Sequence, residues 1–204
     1  MILFGIDPGV TRTGVVRPPG YGSKKGAFAT FHSSAEFIDS PDYDRAASLG
    51  ALVATWISTE VADIGEDPDI RIVIEKPIYN GNPKNFSLQW RVFQSILLGI
   101  AAAIEDFAVL EVNPKTVKEV ATGNGGASKA HMIKASMFKD LDLGRVDKEA
   151  LADAEGIAKC GTVVPVVGEL YRINDEIKAD ILLSGDIYRL NPNEDTNNEI
   201  DDIH

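Results

Sequence analysis

One stretch limits the fold of this chain more than any other. Arg71-Ile72-Val73-Ile74-Glu75 is a compact β-branched run bounded by Pro68 and Pro77. A long segment, Asn85 to Phe107, follows with Phe86, Trp90, Phe93, Ile96, Leu97, Ile100 and Ile104 at helical spacing, and Val109-Leu110-Glu111-Val112 then reads as a second strand. Strand, helix and strand in that order pair in parallel through a right-handed crossover. The fold class is therefore α/β, and the first of these strands ends on a carboxylate.

The other segments fit this class. Ile2 to Ile6 is a short apolar run stopped by Asp7-Pro8-Gly9, a buried strand ending in a turn. Thr13 to Arg17 and Ala27 to His32 read as two more strands separated by Pro18-Pro19-Gly20-Tyr21-Gly22, so the first three strands form a meander. Asp42 to Asp63 carries Ala46, Leu49, Leu52, Val53, Trp56 and Ile57 at helical spacing. Pro114 opens a short helix to Ala121, the loop Thr122-Gly123-Asn124-Gly125-Gly126 follows, and Ser128 caps a helix to about Lys139. A last core helix runs from about Asp147 to Ala158, with small residues that permit close packing on the sheet. Beyond Gly161, Val163 to Val167 reads as strand and Glu169 to Leu183 as amphipathic helix. The expected organisation is one domain over residues 1–160, an extension over 161–190 and an acidic, disordered tail over 191–204.

Taken alone, a formal charge of -11 and a pI near 4.7 argue against a protein that coats nucleic acid through a general basic field. The distribution is uneven, however. Glu36 to Glu75 holds ten acids against Arg45 and Arg71, whereas Lys76 to Ile104 has three basic residues and no acid. Asn113 to Lys139 sets Lys115, Lys118, Lys129, Lys134 and Lys139 against Glu119 alone, and Asn191 to His204 has five acids and no base. No apolar run approaches the ~18 residues of a membrane span, and Asp7 interrupts the N-terminal run too early for a signal peptide. A cytoplasmic protein is expected. Cys160 is the one cysteine and reads as a structural thiol. His32 and His131 read as structural.

Asp7 ends the first strand, Glu75 the fourth, and Asp153 lies in the last core helix between Ala152 and Ala154. If strands one and four are neighbours and the helix crosses their ends, the three acids meet at one point. Such a meeting is costly without a cation. Phosphodiester hydrolysis needs a nucleophilic water, stabilisation of the phosphorane and charge relief on the leaving oxygen. Two Mg2+ ions about 3.5 to 4 Å apart supply all three, and carboxylate oxygens are the ligands Mg2+ prefers. Taken singly, each acid also has an ordinary role open to it: an Asx turn for Asp7, an exposed loop edge for Glu75, a solvated helix face for Asp153.

Gly5-Ile6-Asp7-Pro8-Gly9, Ile74-Glu75, the segment from Val117-Lys118-Glu119-Val120-Ala121-Thr122-Gly123 to Ser128-Lys129, and Ala152-Asp153-Ala154-Glu155-Gly156-Ile157-Ala158 together resemble the RuvC Holliday junction resolvases, in order, over about residues 1 to 160. The departures described below fit a divergent or phage-encoded member. The resemblance implies an RNase H-like fold with a mixed five-stranded sheet. It implies a homodimer that uses Mg2+, replaceable by Mn2+, to nick two opposed strands of a four-way DNA junction during recombination and repair. Asp7, Glu75 and Asp153 would hold the metals, with Asp7 bridging them.

The family's fourth ligand lies three residues before the last aspartate, where this chain has Ala150. Glu149, four residues before Asp153 and on its face, is the replacement candidate; Asp147 is second, since it also suits the helix cap. Lys129 falls where the family has a lysine that assists at the scissile phosphate, carried on a flexible glycine loop. Lys118 would hold DNA, joined by Lys115 and Lys134 from the same basic segment. Tyr79 stands where the family places an aromatic wedge at the crossover. Phe86, Trp90 and Phe93 read as core or dimer contact.

Three other readings stay open. Asp7-Pro8-Gly9-Val10-Thr11 matches the phosphate turn of actin-like ATPases, although those need two lobes. The same fold also serves small RNA-processing nucleases. A chain without its fourth ligand could be a non-catalytic junction-binding module.

Overall fold

Two sets of apolar side chains on opposite faces of one sheet organise the molecule. The computed structural model describes residues 1–33, 42–64, 68–163 and 170–173. Strands β1 (Ile2–Asp7), β2 (Arg12–Arg17) and β3 (Ala27–His32) form the antiparallel meander expected from their turns. Helix α1 (Asp42–Ala62) leads to β4 (Ile70–Glu75), α2 (Pro83–Ala103) and β5 (Phe107–Val112). β1, β4 and β5 pair in parallel, so the strand-helix-strand unit forms as its sequence requires.

Helices α3 (Pro114–Thr122), α4 (Lys129–Ala135) and α5 (Arg145–Cys160) follow, then β6 (Leu170–Ile173). The sheet order is β3-β2-β1-β4-β5-β6. The mixed five-stranded sheet is present, and the extension adds a sixth strand antiparallel to β5. This corrects the helix expected from Glu169: its first residues pair with the exposed edge of β5 instead, which satisfies backbone groups that an edge strand leaves open. Residues 164–167, 174–183 and the acidic tail lie outside the described residues.

Side-chain alternation divides the faces. Ile2, Phe4, Ile6, Ile72, Ile74 and Val109 pack with α1 and α2, whose Leu49, Val53, Phe93, Ile96 and Ile100 are fully covered. Most of the apolar girth of α2 is thus spent inside the subunit. Leu3, Val73, Leu110 and Val112 face the other way, against Val117 of α3, Met132 of α4 and Ile157 and Cys160 of α5. Element ends shift slightly from expectation. Asn82 rather than Asn85 begins α2, because its side chain accepts from the Asn85 amide and Pro83 takes the first turn. The helix ends at Ala103 so that Phe107 can open β5, and α4 stops at Ala135 rather than Lys139.

The seating of α5 is the contact that positions the site. A Cβ on Gly5 of β1 would lie 2.2 Å from the Ala154 carbonyl oxygen and 2.4 Å from the Ala158 nitrogen. One on Gly14 of β2 would lie 2.4 Å from the Ala150 carbonyl oxygen. Helix backbone therefore rests directly on strand backbone, with Ala150, Ala154 and Ala158 spaced one turn apart along the contact. At the other end, Arg71 donates to the Gly161 carbonyl at 2.9 Å. Gly5→Ala should push α5 off the sheet and cost about 3 kcal/mol, the upper range for overpacking a tight interior. Urea unfolding measures this, and a change below 1 kcal/mol would show that the helix seats otherwise.

Candidate active site

Asp7 and Glu75 come together because two parallel strands end in step. The register pairs Ile6 with Ile74, so the next residue of each strand is an acid, and both acids share the face covered by α5. Asp7 also pairs with Gly14, the glycine on which Ala150 rests. α5 thus crosses from Gly5 toward Gly14 directly over the end of β1 and carries Asp153 to the same place. The turn after Asp7 is locked: the Gly9 amide donates to the Asp7 carbonyl at 2.9 Å, and the Thr13 hydroxyl donates to the Gly9 carbonyl at 3.1 Å. Gly9 is required there, since a Cβ would lie 2.1 Å from the Arg12 carbonyl oxygen.

Asp7, Glu75 and Asp153 are each partly open to solvent, the first two at the carboxyl ends of parallel strands and the third on the helix that crosses them. Burial, then the charges of Asp153 and Glu75, push the Asp7 carboxyl well above its ordinary range, against a smaller pull from Lys129. Glu75 is pushed up to about 7, by burial first and by Asp153 second, with Lys118 and Lys129 opposing. Asp153 is raised by burial, with Lys129 and Lys118 pulling it down and Glu149 adding to the rise. These acids feel one another, and the two lysines act on the same cluster.

Among the described residues, no three His, Cys, Asp or Glu side chains form a ready-made metal site. Like charges with only lysines near them have no reason to close to ligand distance. The donor set nonetheless fits a hard divalent cation, because it is made of carboxylate oxygens whose charged forms are penalised until a cation joins them.

The two fourth-acid candidates separate. Asp147 pairs with Arg12 of β2 at 3.0 Å and with His32 of β3 at 3.4 Å. Gly144 is the N-cap of α5, so Asp147 sits in the first turn rather than at the cap. His32 accordingly has charged company, with its Nδ1 also 2.9 Å from Arg12; sequence separation hid that meeting of β2, β3 and α5. Glu149 stands beside Asp153, and both its oxygens are engaged: Lys129 donates to Oε2 at 3.2 Å and Arg145 to Oε1 at 2.9 Å. Burial opposes its charge, but these bonds and charges outweigh that and hold Glu149 below its usual value. For Lys129, burial favours the neutral amine, yet Glu149, Asp153 and Asp7 outweigh it and raise its pKa. Arg145 carried no motif; its spacing of four residues from Glu149 was the available signal.

Lys129 does not ride on a flexible loop, which corrects that expectation. Gly123 ends α3 in the left-handed region, the Asn124 side chain accepts from the Gly126 amide, Thr122 donates to the Lys118 carbonyl, and Ser128 caps α4. Each bond removes freedom that the glycines would otherwise allow. Lys118, half-buried, projects from α3 within range of Glu75 and Asp153, whereas Lys115 and Lys134 are exposed farther along the same helices. Lys134 lines a groove between α3 and α4 with Thr122, Asn124 and His131.

Tyr79 is 57% exposed on the loop after Glu75 and meets Phe86 edge-on at 5.7 Å. Phe86, Trp90 and Phe93 continue this contact inward along α2. Cys160 is buried, its thiol pushed up to about 12 by burial and by the Glu75 charge, in keeping with a structural role. Glu155, also buried, binds the Met137 amide and Lys159 and so fixes the α4–α5 connection.

No family model matches the chain. It is similar to the crossover junction endodeoxyribonuclease RuvC of Salinibacter ruber, with 32% identity over 169 residues, 78% of this chain and 84% of that protein. The protein of the same name from Chlamydia trachomatis is 30% identical over 105 residues, 50% of this chain, and the match spans 61% of the chlamydial protein's length. The Thermus thermophilus RuvC structure superposes with a TM-score of 0.56 at 22% identity, covering 78% of this chain and 92% of that one. The T. thermophilus RuvC structure in complex with Holliday junction substrate gives 0.54 at 17% identity, covering 78% and 90%. At those identities the structural likeness establishes the fold, an RNase H-like one.

The acid cluster has a stability signature. Glu75 is neutral in both native and unfolded chains below about pH 4.5 and charged in both above about pH 7. Between these limits the native protein holds a proton that the unfolded chain releases, so native stability falls as pH rises through the window. Without divalent metal, Glu75→Gln should be about 2 kcal/mol more stable than the parent at pH 8, from ~1.4 kcal/mol per unit discounted for the partial exposure of Glu75. At pH 4 the two should coincide. Thermal melts in EDTA measure both, and a variant no more stable at pH 8 would reject the assignment of burial cost to Glu75.

Proposed function

This chain belongs to the RuvC family of crossover junction endodeoxyribonucleases, and from that premise we propose that it is a structure-specific, Mg2+-dependent endonuclease. It resolves four-way DNA junctions by paired symmetric nicks in two opposed strands, in recombination and repair. One observation carries the reading: Asp7, Glu75 and Asp153, from two strands and a helix, form one electrostatic cluster on which the charges of Lys118 and Lys129 also act. Burying three acids next to one another lowers stability and has no structural use here, so a function is its natural explanation.

Asp7, Glu75 and Asp153, with Glu149 as the fourth acid, would hold two Mg2+ ions. Mg2+ bound there supplies a nucleophilic water near neutral pH and relieves charge on the phosphate and leaving oxygen. Lys129, kept protonated by the acids around it, puts positive charge where the scissile phosphate arrives. Lys118, Lys115 and Lys134 hold backbone phosphates by counterion release. Tyr79, braced by Phe86, stacks against an unpaired base at the crossover, for about 1 to 3 kcal/mol.

Two symmetric nicks on a two-fold substrate call for two active sites, hence a homodimer. The negative charge outside the basic segments repels ordinary duplex and leaves binding to the branched substrate these lysines fit. No helix of the described residues is long and apolar enough to cross a membrane, and work on cellular DNA puts the protein in the cytoplasm.

Asp7→Asn should lower Mg2+-dependent cutting of a synthetic four-way junction by about 100-fold or more, the scale for losing a group that acts on transition-state charge. Junction binding in a gel-shift assay should be kept. Binding by the parent with no Mg2+-dependent product would instead make the protein a non-catalytic junction binder. Equal cutting of RNA hairpins would favour the RNA-processing reading.

A further inference from the structure

The position that holds an acid in the family's pattern is closed in this chain. Ala150 is buried against β2, and its carbonyl would lie 2.4 Å and its Cβ 3.2 Å from a Cβ on Gly14. The fourth acid is displaced by one residue to Glu149, and that shift gives it two partners. Arg145, one turn earlier on α5, takes Oε1 at 2.9 Å, and Lys129, from the first turn of α4, takes Oε2 at 3.2 Å. Neither carboxylate oxygen is free of a cation.

The partners differ in what else they touch. Among the described residues, Lys129 is the one cation whose charge acts on Asp7, Glu75 and Asp153 alike, whereas Lys118 acts on Glu75 and Asp153. Arg145 lies out in solvent, its side chain 82% exposed against 14% for Glu149. Arg145 thus steadies the carboxylate from outside, while Lys129, bonded to it, also acts on the other three acids through its charge.

We propose that Lys129 is the resident counter-ion of the acid cluster, tethered there by Glu149, and that Glu149 joins a bound divalent cation only by letting Lys129 go. Arg145 is the positioning residue that keeps Glu149 aimed at the cluster. The inference rests on the metal-dependent reading above and extends it. One exchange then does two things, completing the set of acids around the metal and freeing Lys129 to meet the incoming phosphate. Because coupling between two ligands is reciprocal, phosphate captured by Lys129 strengthens the hold of Glu149 on metal to the same degree. Lys129 is 65% exposed and can leave Glu149 for water at little cost, so the tether restrains Lys129 without trapping it.

The test is calorimetric titration of Mn2+ into the EDTA-stripped full chain, without DNA. Lys129→Met should tighten Mn2+ binding about three- to fivefold, the worth of one exposed competing ion pair. Lys118→Met, which removes the same charge without touching the tether, should tighten it less than half as much. Glu149→Gln should weaken binding, and adding Lys129→Met to it should restore little, since an untethered lysine no longer competes. None of these side chains is fully buried, and circular dichroism melts confirm that each variant is folded. Equal tightening by Lys129→Met and Lys118→Met would overturn the proposal in favour of charge acting at a distance. Mn2+ binding by Glu149→Gln as tight as the parent's would overturn it by removing Glu149 from the ligands. A parent that binds no Mn2+, or an Asp7→Asn variant that binds it equally well, would count against the metal-dependent reading itself.

Discussion

Everything at the acid cluster depends on backbone lying on backbone where α5 crosses β1 and β2. Gly5 and Gly14 leave no side chain between helix and strand, and Ala150, Ala154 and Ala158 complete the contact from the helix side. With a larger residue at either glycine the helix would stand off from the sheet, and Asp153 with it. The contact is apolar and rigid, yet its effect is electrostatic. It holds one carboxylate over the ends of two strands that already carry carboxylates of their own.

That arrangement is costly by design. Burial raises the pKa of all three acids and repulsion from a neighbouring carboxylate adds to it in each case, so the fold must hold them against a force that would spread them. It does so with parts that have little freedom. The Asp7 turn is locked by Thr13, the lysine-bearing helices are joined by a loop whose polar groups bond internally, and buried Glu155 pins the α4–α5 connection. Compensation comes from Lys118 and Lys129, whose charges reach the cluster from a separate pair of helices. Stability surrendered at this point is the usual counterpart of a prepared site.

The total charge is a poor guide to such a molecule. A value of -11 describes the chain as a whole, whereas the lysines of α3 and α4 and the acids of β1, β4 and α5 act over a few ångströms. Part of the negative total is itself the acid cluster. Like-charge repulsion over the remaining surface and attraction at one basic segment are compatible, because each acts over its own short range.

The strands, the crossover and the three principal acids were legible in the chain because each rests on local pattern: β-branched runs stopped by proline or an acid, helical spacing in α2, small residues around Asp153. The edge strand β6 was not, since Leu170–Ile173 has a helix-compatible spacing and only the open side of β5 makes it a strand. Nor were the partners of the fourth acid. Sequence spacing put Glu149 ahead of Asp147 but said nothing of their company, and in space β2 and β3 bring Arg12 and His32 to Asp147 while α4 brings Lys129 to Glu149. The amino-acid sequence by itself determined which elements form and which of them end in a carboxylate, because those choices depend on neighbours along the chain. Tertiary structure alone decided which charges meet, because electrostatic pairing depends on distance in space, and that distance is set by how closely α5 and α4 approach the sheet.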